Sequence, residues 1–503
     1  MLPIALLVSA CRPDLLASPR AGQEPTRPRV EVATRHLDAG TRSKTATRST
    51  YEGTFSLEAH LSKPHDVMVR STRLRVWTSP DGRARLDWET WPVGHEERRE
   101  VDTVWLEGTR VWQRDSVKAP VTETTGKRAA QVRLRVEAAA PWHLIDRVRA
   151  ARDRCSAIES DALTWTESDE EAALERRLTW DGATGRLTGV THTFAHPRLG
   201  DTREELAFAG WNVQDGIAVP SAFTLREFEG ADPIRTSPTV FDVRLVSFEA
   251  GVDVGSELDA PKTSAAAVPP ARPTVVDEIT TSEWEPGVTS FASKVMDGST
   301  VIVEFDDHLI AIGAPLSSEL GQRIVEAVRE QFPKKPIRYV LFGHHHPHYT
   351  GGLRAFLAAG AKVVAPEIGA RFAAEIAERP FSIRPDAWAH AGRRAEIETF
   401  RDTRVFEDAH QKLVVVDIGA RSAHTDEYLV FYLPRTRTLI QDDIGWSAAQ
   451  DGKLYFGPRS KGLYEALSER RLDVATIWQG WPVASPRPSL PFAELERGVK
   501  AMR

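Results

Sequence analysis

At 503 residues the chain is long enough for two or three domains, each able to bury its own core. Hydrophobic residues make up 41% of it and charged residues 27%, a balance that excludes extensive disorder. The formal charge of −6 excludes a general nucleic-acid binder, which needs a concentrated basic face.

The chain opens on an apolar run, Met1–Ala10, that closes on small residues before Cys11. The run is too short to cross a bilayer as a helix and has the length of a signal h-region. Val8-Ser9-Ala10-Cys11 resembles a bacterial lipobox. That resemblance implies a lipidated Cys11 and a place in the cell envelope, either periplasmic or anchored to a membrane. Cys155 is the only other cysteine, so no disulfide framework is expected. Residues 12–48, rich in Pro, Arg, Ser and Thr, read as a flexible tether.

From Tyr51 the pattern changes. Tyr51, Gly53, Phe55, Leu57, Ala59 and Leu61 alternate with polar residues, the period-2 pattern of a half-buried strand. Ala84, Leu86 and Trp88 repeat it, and Leu178–Trp180, a turn at Asp181–Gly185 and Leu187–Phe194 predict a hairpin. Further strands are expected at 206–211, 217–219 and 241–248, with one helix over 141–152. Residues 49–260 are thus expected to be mostly antiparallel sheet, with His192 and His196 as structural histidines. Gly210–Pro220 resembles the strand–turn–strand of outer-membrane lipoprotein-sorting half-barrels, which implies a lipid or acyl ligand. An ordinary sheet core accounts for the same residues.

A Pro/Ala-rich stretch, 261–277, reads as a linker to a second domain at 278–503. Beyond it strands at 299–305, 308–312, 336–342 and 362–365 alternate with helices at 316–332 and 352–359, the order of a layered α/β domain. The strand at 336–342 runs into Gly343-His344-His345-His346-Pro347-His348-Tyr349-Thr350-Gly351-Gly352. Four histidines in five residues at a strand end point to a metal site, because imidazole is a favoured zinc ligand.

The run from Pro336 to Gly352 resembles the metallo-β-lactamase signature His-x-His-x-Asp-His-x-Gly-Gly, with His344 and His346 on its first two ligands. His424 resembles the third histidine, and Asp443, beside Asp442, the metal-bridging aspartate. The resemblance implies an αββα sandwich and a zinc-dependent hydrolase. Three positions depart from the family: His348 stands for its aspartate, Tyr349 for the next histidine, and Trp481 for the last ligand. Tryptophan offers only an N–H donor. The expectation is therefore one zinc ion per chain, with His344, His346, His424, Asp443 and His348 as possible ligands. Attack by zinc-bound hydroxide on an ester, amide or lactone would use His348 or Asp443 as base and Tyr349 as donor to the oxyanion. The partner would be a small-molecule substrate or a lipid. A non-catalytic, metal-stabilised envelope lipoprotein is the alternative.

Overall fold

The computed structural model describes residues 45–58, 62–108, 110–124, 126–159, 161–168, 173–228, 238–260 and 278–502. The apolar run, Cys11, the tether up to residue 44, Ala59, Leu61 and the linker at 261–277 lie outside the described residues.

Among the described residues thirteen strands form one antiparallel sheet, from Thr122–Thr124 at one edge to Cys155–Ile158 at the other. Thr47–Glu58 lies inside it, paired with Val67–Thr78 and Pro238–Ala250. The strand thus takes in Thr47 and Arg48, which the sequence pattern assigns to the tether. Thr47 is buried and its hydroxyl meets that of Thr78 at 2.7 Å, so a polar residue begins the strand and hides its start. Tyr51 and Phe55 enter the core as their alternation requires. Gly53 between them is needed where the partner strand comes close, since a Cβ there would strike the carbonyl oxygen of Asp242. The hairpin expected around residue 184 joins Ala173–Trp180 to Leu187–His196.

Two helices, Gly126–Ala139 and Pro141–Ala150, cover one face of this sheet. Only the second was expected. The first carries Val132, Leu134 and Val136 at strand-like spacing and also buries Gln131, Arg135 and Glu137, which obscures the helical spacing of Ala129, Val132, Val136 and Ala139. Burial on nearly every side is satisfied by ion pairs instead: Arg135 to Glu227 and Glu137 to Arg147 at 2.5 Å. The other face bears a smaller cluster of Trp105, Trp112 and Val121, with the Arg85 guanidinium 5.0 Å from the Trp77 ring and 5.7 Å from the Trp105 ring. His192 bonds Glu204 at 3.2 Å, and His196 accepts from the Arg198 and Leu199 amides at 3.1 Å. Both histidines have the structural partners expected of them.

From Thr280 a seven-stranded and a six-stranded sheet face each other. Val301, Val303, Ile310, Ile312 and Leu341 from one interleave with Leu413, Val415, Phe431 and Ile440 from the other. Helices Ser318–Gln331, Leu353–Ala359 and Glu367–Glu378 pack outside the first sheet. Pro458–Glu469 and Phe492–Lys500 pack outside the second. The layers are helix, sheet, sheet, helix. Among the described residues no helix is long and apolar enough to cross a membrane.

Candidate metal centre

The histidine loop leaves the carboxyl end of the strand Ile337–Leu341, between the two sheets. Gly343 is required at its start because a Cβ would collide with the Asp442 carboxylate. Its carbonyl accepts the Leu429 amide at 2.7 Å, tying the loop to the second sheet. Pro347 then opens a single helical turn, Pro347–Thr350. The Thr350 hydroxyl donates to the His345 and His346 carbonyls at 3.1 and 3.0 Å, and the Ala314 amide donates to the Tyr349 carbonyl at 2.8 Å.

This framework brings together side chains that are far apart in sequence. His344, His346, His424 and Asp443 each offer a ligand atom, and these atoms lie within 4.8 Å of one another. The ring centroids of His344 are 4.5 Å from His346 and 4.8 Å from His424, and His346 is 4.7 Å from His424. His424 Nε2 stands 3.4 Å from Asp443 Oδ2. The donor set of three imidazoles and one carboxylate suits zinc.

Second contacts orient these groups. His344 Nδ1 lies 3.0 Å from Asp442 Oδ2, while its buried Nε2 has no hydrogen-bond partner. With Nδ1–H donating to Asp442, Nε2 carries the lone pair that a cation needs. Burial, then the neighbouring His346 and His424, push the His344 pKa well below its ordinary value and keep the ring neutral. Burial opposes charge on Asp443, but the hydrogen bond from His424 and the positive charge of His424, His346 and Arg459 hold its carboxyl below the usual value. The Tyr428 hydroxyl donates to Asp443 Oδ1 at 3.1 Å and accepts the Asp443 amide at 3.0 Å. Sequence patterning did not mark Tyr428, because nothing distinguishes it from an apolar strand residue until the fold aims its hydroxyl.

His348 is not brought into this group of four. The turn started by Pro347 carries it toward Trp481, ring centroids 5.0 Å apart. Tyr349 lies against His344 at 4.6 Å and is buried, with no hydrogen-bond partner for its hydroxyl. Burial first, then Asp443 and Asp442, raise its pKa far above the ordinary value, so the side chain is a phenol and a donor. The Trp481 Nε1 is likewise enclosed without a partner. Two unpaired buried donors thus lie beside the histidine loop.

No protein-family model matches the chain, and no curated protein matches it. Solved structures similar to it are metallo-β-lactamases. FIM-1 from Pseudomonas aeruginosa in its mono-zinc form is 20% identical, with a TM-score of 0.33, over 46% of this chain and 96% of that one. The enzyme from Pontibacter korlensis is 16% identical with a TM-score of 0.33, over 44% and 97% of the two chains. That from Hirschia baltica is 14% identical with a TM-score of 0.32, over 44% and 97%.

Proposed function

We propose that the chain is a metal-dependent hydrolase with a single-ion centre, acting on an ester, amide or lactone carbonyl. The observation that carries this is the convergence of His344, His346, His424 and Asp443. A zinc ion bound there would supply Lewis acidity and lower the pKa of a water to about 7. His344, His346 and His424 would hold the ion, the His344 ring oriented by Asp442. Asp443, kept ionised among the imidazoles, would ligate through one oxygen and take the proton of the attacking water on the other. The Tyr349 hydroxyl, an unpaired buried donor beside His344, would donate to the oxygen that gains charge as the carbonyl becomes tetrahedral. His348, outside the group and against Trp481, is assigned to relaying a proton.

The Tyr349 and Trp481 donors favour a second reading, in which the ion only stabilises a scaffold that binds a lipid or a protein partner. Under both readings we place the chain in the cell envelope through lipidated Cys11, with the N-terminal sheet as a half-barrel-like binding element and 261–277 as the linker.

Metal analysis of the purified chain is the test, with about one zinc per chain expected. His344→Ala and His424→Ala are expected to lose it. A metal-free protein would sink the proposal, and two tightly held ions would refute the single-ion centre. Chromogenic esters, lactones and β-lactams then separate enzyme from scaffold, since turnover of none of them favours the scaffold.

A further inference from the structure

The loop that carries His424 is strained and densely tied. Ala423, immediately before it, has a left-handed backbone with φ of 52°, a conformation that persists only when its surroundings hold it. The His424 and Thr425 amides donate to Ser422 Oγ at 3.2 and 3.1 Å, and the Tyr428 amide donates to Asp417 Oδ1 at 3.1 Å. The Glu427 carboxylate accepts the Ile368 and Gly369 amides at 2.7 Å. The Asp426 amide is different. It donates to the Ser62 carbonyl at 2.8 Å, in the tip that joins the first two strands of the N-terminal sheet.

That tip makes further contacts on the same face. Lys63 Nζ lies 3.3 Å from Asp426 Oδ2, and His65 Nε2 lies 2.7 Å from Glu375 Oε2. The His65 ring packs 5.8 Å from Phe372, which in turn stands 6.0 Å from His345 in the histidine loop. A second tip of the same sheet docks nearby: Asp201 accepts the Ser382 and Ile383 amides at 2.9 and 3.0 Å, and its own amide donates to the Pro380 carbonyl at 2.8 Å.

We infer that the tip at 62–66 is a positioning element of the metal centre: it holds the His424 loop in register, so the N-terminal sheet sets the affinity for the ion. Each contact is modest, but they act two residues from a ligand whose backbone is already strained. A small displacement of the loop is read directly as a change in ligand geometry. The inference rests on the metal-centre reading above.

The test uses the full chain and zinc in competition with a chromophoric chelator. Lys63→Glu sets a second carboxylate against Asp426 and is expected to weaken zinc by about three- to fivefold, with thermal melting confirming a folded protein. The charge swap Lys63→Glu/Asp426→Lys is expected to restore affinity to within about twofold of the parent. Unchanged affinity in Lys63→Glu, or a loss that the swap leaves in place, would overturn the inference. Should Lys63→Glu fail to fold, His65→Ala removes the Glu375 contact from the same tip. Weaker zinc there supports the inference and unchanged zinc overturns it. A parent chain that binds no zinc defeats the metal-centre reading itself, which separates the two failures.

Discussion

Tyr349 and Trp481 carry polar hydrogens that are buried and unpaired, and this defines the chemistry open to the site. A buried donor without an acceptor costs about 1–3 kcal/mol, a cost that a substrate oxygen can relieve during reaction. Tyr349→Phe is therefore expected to lower kcat by about tenfold to a hundredfold while KM and zinc content change little. Steady-state kinetics with parallel metal analysis checks this, and an equal fall in kcat and zinc content would place Tyr349 in the scaffold of the ion instead. The histidines were legible because packing alone hardly accounts for four of them in five residues at a strand end. Asp442 and Tyr428 were less so, because their functions lie in where a carboxylate and a hydroxyl point, to His344 and to Asp443.

Among the elements, the helix Gly126–Ala139 shows how burial can defeat periodicity. Its apolar residues alternate like a strand's, and the helix is stable because its charged residues find partners inside the N-terminal core. Arg135 is paired with Glu227 and lies 4.4 Å from the Trp88 ring. Glu227→Ala would leave that guanidinium buried and uncompensated, at a cost of about 3–5 kcal/mol in urea unfolding. Replacing Arg135 and Glu227 together by leucine is expected to cost far less, and equal losses in the two variants would show that the pair is not what matters. The strands Leu309–Ile312, Ile337–Leu341 and Lys362–Ala365, by contrast, are short apolar runs closed within two residues by Gly313, Gly343 and Pro366, so they could be read directly. The helix Leu353–Ala359 stops where anticipated, at Gly360 with φ of 103°.

At the scale of the whole molecule, the imidazole of His143 links stability to pH. His143 is partly buried and its Nε2 is enclosed, and burial pushes its pKa down to about 4. Between that value and the ordinary value near 6.5 the unfolded chain binds a proton that the native one does not. Stability contributed by the neutral ring is therefore complete above pH 6.5 and falls as the pH drops toward 4. His143→Gln is expected to flatten the fall in Tm over that range relative to the parent at equal zinc. An unaltered slope would mean that His143 does not set it.

Sequence alone determined the sheet-rich N-terminal half, the strand–helix grammar beyond residue 278, and the metal-favouring chemistry of the histidine loop. These are local properties, written in alternation, spacing and residue type. Tertiary structure decided which ligands converge. Asp443 and His424 reach the loop only because the second sheet delivers them, and His348 leaves it because Pro347 starts a turn that carries its ring to Trp481. It also set the Ser62 carbonyl on the Asp426 amide, a contact between residues 364 positions apart that no local pattern encodes.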